Sequence, residues 1–236
     1  MNKLNEIFAV EKPIIGMIHL AGNNSKDKIN RALEELTIYQ EEGVDGVIIE
    51  DYHGSQKDVL ETLKASQNKF DIVRGINILR NPYSTFKIAN ELGAKFIQFD
   101  SVQTRDLNLD KYNQLKEKYP NIAVLGGVGF KYTQPTGNPL ETDLEEARQR
   151  CEAIVTTGDG TGLETPLGKL IQYKRRLPDF PLIIGAGVNL ENISAQLTIA
   201  DGAIIGSYFK PNSNTKLPVD RTKVKKLIEI VKYIRD

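Results

Sequence analysis

The chain has 236 residues, which is long enough to bury one large hydrophobic core. Lys and Arg number 31 and Asp and Glu number 31, so the net charge is zero, which argues against a protein that coats nucleic acid or an anionic membrane. There is no apolar signal core at the start and no run as long as a membrane span, so we expect a cytoplasmic protein with no nucleic-acid partner and no membrane insertion.

Short β-branched runs alternate with amphipathic segments along the whole chain. The first half predicts strands at 13–20, 44–50, 71–79 and 95–100, with helices at 28–41, 57–66, 82–92 and 110–118. The second half predicts strands at 122–128 and 153–157 and two that begin at Leu182 and Ile199, with helices at 140–150, 167–176, 190–197 and 221–234.

Eight strands and eight helices in strict alternation predict one (β/α)8 TIM barrel over residues 1–236. The strands are continuous apolar runs, which is typical of strands buried on both faces. A doubly wound open sheet also alternates strands and helices. Glycines at the ends of the seventh and eighth strands favour the closed barrel, because phosphate-binding barrels have glycine there.

These last two strand ends predict a phosphate site. Backbone N–H groups approach an anion closely at glycine, and a helix start behind the strand adds partial positive charge. A glycine-rich loop after the sixth strand offers further N–H groups. The predicted ligand contacts are Gly185, Gly187, Val188, Asn189, Gly206 and Ser207 at the strand ends, and Asp159, Gly160, Thr161 and Gly162 in the loop.

Polar residues at the carboxyl ends of other strands are candidates for chemistry, because active sites of such barrels lie on that face. His19, Glu50 and Asp100 each end an apolar strand and are the predicted acid–base groups. Lys131 follows the fifth strand as a predicted electrophile, phosphate contact or Schiff-base amine, and Asn77 ends the third as a ligand contact. Structural alternatives stay open: a hydrogen-bonded histidine at the barrel rim, and a solvated loop lysine.

Three further features have simpler interpretations. The lone cysteine, Cys151, excludes an internal disulfide and is interpreted as a structural thiol beside a helix. Glu50, Asp51 and His53 are residue types that bind divalent ions, but their spacing is not diagnostic, so we expect no metal and no cofactor and keep a divalent ion as the alternative. The segment 210–220 is expected to be a loop, either a plain connector or a lid or subunit contact, with Lys210 near the anion.

The sequence resembles the BtpA/SgcQ family nearly from end to end. The matching motifs are at residues 12–20, 46–51, 76–81, 93–97, 157–162, 185–192, 200–210 and 218–220. The resemblance implies a barrel of the ribulose-phosphate-binding type, but it implies no particular reaction. This chain has Gln98 and Asp100 where the family usually has Arg and Asn. After the fifth strand the family usually has an Asp-Val stretch and then Lys-His, whereas segment 126–132 of this chain ends in Lys131-Tyr132, so the His is lost. These departures suggest a different substrate or a weakened activity.

The sequence is compatible with three functions. The first is an enzyme that acts on a small phosphorylated sugar or related metabolite as an isomerase, aldolase or lyase. The second is a non-catalytic factor that assists assembly of another protein or a membrane complex, and the third is a sensor of a phosphorylated metabolite. Fold alone does not distinguish them. A homo-oligomer is compatible with all three.

Overall fold

Eight short parallel strands close into a barrel in the computed structural model, which describes residues 3–235. Each strand pairs with the next along the chain, and β1 pairs with β8 to complete the circle. This confirms the predicted TIM barrel and excludes the open sheet. The strands are β1 (Ile14–Ile18), β2 (Gly46–Glu50), β3 (Val73–Asn77), β4 (Phe96–Phe99), β5 (Ala123–Gly127), β6 (Ala153–Thr156), β7 (Leu182–Ile184) and β8 (Gly202–Ile205).

The helices follow the strands and form the outer layer. They are α2 (Ser25–Glu42), α3 (Gln56–Ser66), α4 (Ser84–Leu92), α5 (Leu109–Lys118), α6 (Leu140–Arg150), α7 (Leu167–Arg176), α8 (Ile193–Leu197) and α9 (Arg221–Arg235), after a first helix α1 (Lys3–Phe8) that the sequence analysis did not predict. Phe8 of α1 packs against Phe96 inside the barrel, so α1 closes the end opposite the predicted site.

Side chains alternate between two cores because successive residues of a strand face opposite sides. The barrel interior holds Ile15, Met17, Ile48, Phe96, Leu125, Val155 and Ile183, among others. The intervening residues, such as Val47, Ile49 and Ile97, pack against the helices. This alternation decides which residues at the strand ends face the mouth of the barrel.

Several element ends differ from the prediction for identifiable reasons. Helix α2 begins at Ser25 rather than at residue 28, because the Asn24 side chain accepts a hydrogen bond from Asp27 N and caps the helix. Helix α8 begins at Ile193 rather than at residue 190. Asn189 Oδ1 accepts hydrogen bonds from Glu191 N and Asn192 N there, which holds residues 189–192 in a turn.

The segment after β8 is a loop as predicted, with single 3₁₀ turns at Ser207–Phe209 and Pro211–Ser213. Within residues 3–235, no helix is long and apolar enough to cross a membrane.

Candidate active site

A cavity at the carboxyl ends of the strands brings together most of the predicted site residues. It is a narrow, partly open space between the barrel floor and the loops, with a cavity volume of about 40 Å³. Ten predicted site residues line it: His19, Glu50, Lys131, Thr161, Gly162, Gly185, Gly187, Val188, Gly206 and Ser207. The catalytic candidates and the phosphate candidates therefore share one cavity.

The polar floor of the cavity follows from strand alternation. His19 lies two residues after Met17, and Met17 is an interior residue, so His19 faces the same side. Glu50 has the same relation to Ile48. Gln98 has the same relation to Phe96, and it lines the cavity although the sequence analysis did not include it among the site residues. Strand residues two apart face the same side of a sheet, so the position of Gln98 two residues after Phe96 is the signal that predicts it at the mouth.

A chain of hydrogen bonds connects Glu50 on the cavity floor to Gln98 through Asn77 and Asp100. Glu50 and Asn77 are paired across β2 and β3, and Asn77 Nδ2 donates to Glu50 Oε1 at 3.0 Å. Asn77 Nδ2 also donates to Asp100 Oδ1 at 3.0 Å. Gln98 Nε2 donates to the same Asp100 oxygen at 3.0 Å. Asn77 and Asp100 are not among the cavity-lining residues, so both act on the cavity through their neighbours.

Glu50 is a proton donor at neutral pH in this environment. Its side chain is buried, and burial raises its pKa from the ordinary value of 4.5 to about 8, with the Asp100 charge adding to the rise. Lys131 and the Asn77 hydrogen bond oppose the rise but do not cancel it. Because Oε1 accepts from Asn77, Oε2 is the oxygen available to carry the proton.

His19 is neutral at the same pH. Burial lowers its pKa well below 6.5, and the charges of Lys210, His53 and Lys131 lower it further. Its Nδ1 is buried and has no hydrogen-bond partner among the described residues. The Tyr52 ring packs edge-on against the imidazole. A neutral imidazole offers one nitrogen as a proton acceptor, which Glu50 at this pH does not.

Two loops cover the cavity. Lys131 lies in the loop after β5, and its N–H donates to Thr157 Oγ1 at the end of β6. Thr161 of the glycine-rich loop donates its N–H to Tyr132 Oη at 3.1 Å, and its hydroxyl lies 3.5 Å from Tyr52 Oη. The Tyr132 hydroxyl therefore holds the glycine-rich loop against the loop after β5.

Four cavity-lining residues form one wall, and their backbone N–H groups are unpaired within residues 3–235. They belong to Gly162, Gly187, Val188 and Ser207, from the loops after β6, β7 and β8, and they donate to no acceptor among the described residues. All four residues also line a second cavity outside this wall, where Lys223 supplies a cation and Glu191 a carboxylate. Unpaired backbone N–H groups grouped on neighbouring loops favour an anion.

The glycines at the strand ends are needed for packing within the protein. A Cβ on Gly187, whose φ is +72°, would lie 2.2 Å from the Leu163 carbonyl oxygen, and one on Gly206 would lie 2.9 Å from His19 Cε1. The Gly185 N–H already donates to Thr156 O at 2.8 Å. Close packing therefore requires glycine at 187 and 206 independently of any anion, and the Gly185 N–H does not contribute to an anion site.

Some predicted residues lie elsewhere. Asp159 is exposed and lines a separate cavity beside the loop after β5. Gly160 lines neither that cavity nor the one that holds His19 and Glu50. Asn189 lines the outer cavity, but its side-chain oxygen is used in the turn before α8. The placement of Lys210 near the anion was wrong: its ammonium is buried and paired with Glu35 of α2.

Glu35 also accepts a hydrogen bond from Val219 N, so one carboxylate holds both ends of the segment 210–220. This favours the connector over the lid.

Cys151 is buried, burial raises the pKa of its thiol to about 12, and its Sγ donates to Ala147 O, as expected of a structural thiol. Among residues 3–235, no three His, Cys, Asp or Glu side chains cluster as metal ligands.

A family model described as the BtpA family matches residues 10–233. The chain belongs to the BtpA family. It is 29% identical to the photosystem I biogenesis protein BtpA of Synechocystis, over 96% of this chain and 90% of that protein. It is 27% identical to the putative sgc region protein SgcQ of Escherichia coli, over the full length of both.

The fold is also similar to solved TIM-barrel structures. N-(5'-phosphoribosyl)anthranilate isomerase from Pyrococcus furiosus superposes with a TM-score of 0.64 at 16% identity, covering 94% of this chain and 99% of the isomerase. At that identity the likeness establishes the fold and carries no residue roles across.

Proposed function

We propose that the protein is an enzyme that transfers protons on a small phosphorylated metabolite, as an isomerase, aldolase or lyase does next to a carbonyl group. The observation that carries the proposal is the shared cavity. A buried carboxyl group that holds its proton at pH 7, a neutral histidine and a lysine line the same space as four residues whose backbone N–H groups are unpaired in the described part of the chain.

Glu50 is the general acid in this proposal. Its pKa of about 8 keeps the proton at neutral pH, so it protonates a carbonyl oxygen as negative charge develops there. His19 accepts the proton from the adjacent carbon, and the electrons of that C–H bond form the carbon–carbon double bond of an enol. The Lys131 charge stabilises the oxygen during the step. Asp100 and Asn77 are positioning residues, because they hold Glu50 but do not line the cavity.

The phosphate of the substrate binds at the wall formed by Gly162, Gly187, Val188 and Ser207. Four N–H donors from three loops suit the oxygens of a phosphate, and Lys223 in the outer cavity contributes positive charge. The named activity of the structural neighbour, isomerisation of a phosphoribosyl compound, is of the same general kind.

Proton transfer is tested by solvent exchange. The protein is incubated in D₂O with a panel of aldose and ketose phosphates, and ¹H NMR follows loss of the proton next to the carbonyl group. We expect exchange with at least one compound, and a decrease of about a hundredfold or more in Glu50→Gln. Glu117→Gln, an exposed position on α5, is the matched control and retains the wild-type rate.

The same experiment separates the other functions. A sensor binds a phosphorylated compound without exchanging its proton. A non-catalytic assembly factor needs neither binding nor exchange; the Synechocystis relative is named a biogenesis protein. No exchange with any member of the panel, together with unchanged binding in Glu50→Gln, contradicts the enzyme proposal.

A further inference from the structure

A buried amide group on the cavity floor has a role that the proton-transfer proposal leaves open. Gln98 is 3% exposed and lines the cavity beside Glu50 and Lys131. It follows Phe96 of the barrel interior by two residues, so its side chain stands on the inner face of β4. Its position is set by the barrel and not by a mobile loop.

Asp100 fixes which end of this amide is free. Gln98 Nε2 donates to Asp100 Oδ1 at 3.0 Å. Turning the amide over would place its oxygen against a carboxylate oxygen, two acceptors with no hydrogen between them. Gln98 Oε1 is therefore the atom left over, and it is buried without a hydrogen-bond partner among the described residues. Buried carbonyl oxygens are rarely left unpaired, because desolvation without a partner is unfavourable.

We propose that Gln98 determines substrate specificity: its Oε1 accepts a hydrogen bond from a substrate hydroxyl next to the reacting carbonyl group. This rests on the proposed function and names its substrate class, a phosphorylated α-hydroxy aldehyde or ketone. The carbonyl oxygen of that substrate takes the proton of Glu50, and the neighbouring hydroxyl donates to Gln98.

Hydrogen bonds within the floor support this pairing of groups. Glu50 and Gln98 are the two cavity-lining ends of one chain that runs through Asn77 and Asp100. Glu50 presents a proton donor, and Gln98 Oε1 presents an acceptor. A substrate with an acceptor and a donor on adjacent carbons satisfies both ends. A ligand that presents only carbonyl or carboxylate oxygens leaves Gln98 Oε1 facing another acceptor.

Two compounds that differ in this one hydroxyl test the assignment. Ribose 5-phosphate has the hydroxyl next to its carbonyl carbon, and 2-deoxyribose 5-phosphate lacks it. Isothermal titration calorimetry measures Kd for both and for inorganic phosphate. We expect the wild-type protein to bind ribose 5-phosphate at least about tenfold more tightly than the deoxy compound, because a site built to bond a hydroxyl rejects the analogue without it.

Gln98→Met removes the acceptor and keeps the length of the side chain. We expect it to reduce the preference to below about threefold by weakening ribose 5-phosphate binding alone. The matched control is Gln103→Met, since Gln103 is equally buried but lines the neighbouring cavity. It retains the full preference, and inorganic phosphate binds all three proteins equally.

Two results would overturn the assignment while leaving the phosphate site in place. One is a wild-type protein that binds both sugar phosphates equally, a comparison that needs no variant to fold. The other is a preference that survives in Gln98→Met, which would mean that Gln98 Oε1 bonds only to water. If the wild-type protein binds neither the sugar phosphates nor inorganic phosphate, the proposed function fails as well.

Discussion

Glu50 is joined to Asp100 by a single amide group, since Asn77 Nδ2 donates to one oxygen of each at 3.0 Å. Burial and the Asp100 charge together give Glu50 a pKa of about 8, while Lys131 acts in the opposite direction. Glu50 therefore keeps its proton at neutral pH, and the negative charge of Asp100 contributes to this.

Two substitutions with opposite effects test this account of Glu50. Asp100→Asn removes a nearby negative charge, so the pKa of Glu50 falls. Lys131→Met removes a nearby positive charge, so that pKa rises. A ¹³C NMR titration of the Glu50 carboxyl carbon, assigned with Glu50→Gln, measures both shifts. Shifts in the same direction, or no shift in either variant, would show that these charges do not control the proton.

The raised pKa also predicts how stability depends on pH. The folded protein keeps the Glu50 proton up to about pH 8, whereas an unfolded glutamate loses it near pH 4.5. Between these values the folded state binds more protons, so the contribution of Glu50 to the free energy of unfolding decreases as pH rises, by up to about 1.4 kcal/mol per pH unit.

Urea unfolding of wild type and Glu50→Gln at several pH values between 5 and 8 measures this contribution as a difference. The variant gains stability relative to wild type as pH rises, because it lacks the group that must release a proton. Glu117→Gln is the control and follows the wild-type curve. A constant difference between Glu50→Gln and wild type over this range would mean that Glu50 is ionised in the folded protein.

The buried ion pair of Lys210 and Glu35 predicts a large loss of stability on substitution. Both side chains are almost fully buried, and Glu35 also holds Val219 N. Lys210→Met leaves the Glu35 carboxylate unpaired, so we expect about 3–5 kcal/mol of destabilisation in chemical unfolding. Lys64→Met, which breaks an exposed pair with Glu61, costs about 1 kcal/mol or less. Equal effects would show that the 210–220 segment is not anchored by this pair.

The barrel could be predicted from the sequence because each strand is a continuous apolar run and each helix has one apolar face. Helix ends were harder, since they depend on single side chains. Asn24 extends α2 towards its N-terminus, and Asn189 delays the start of α8. Helix α1 was not predicted because its apolar residues pack against the open end of the barrel, where Phe8 contacts Phe96, and no local pattern reports that contact.

The candidate site was predictable to the extent that it depends on strand ends. His19 and Glu50 face the cavity because strand alternation places them there, and the same rule applied to β4 identifies Gln98. Lys210 was misplaced because its partner, Glu35, is 175 positions away in the sequence. The close approach of Gly187 to Leu163 is likewise a contact between two loops, and no local pattern reports it.

The phosphate wall is tested by adding charge beside it. Ser207→Asp places a carboxylate among the four N–H groups, so we expect the affinity for inorganic phosphate to fall at least about tenfold. Asn113→Asp adds the same charge at an exposed position on α5 that does not line the cavity. It retains wild-type affinity in isothermal titration calorimetry. A Gly187 substitution would not test the phosphate wall cleanly, because any side chain there clashes with the Leu163 backbone.

The most direct test of the central claim is a ¹H–¹⁵N NMR titration of the wild-type protein with inorganic phosphate and then ribose 5-phosphate. We predict that the amide signals of Gly162, Gly187, Val188 and Ser207 move most with both ligands, because these N–H groups bind the phosphate. Ribose 5-phosphate alone should also move the signals around Glu50. Saturating ligand that leaves all four amides in place would contradict a phosphate site in this cavity.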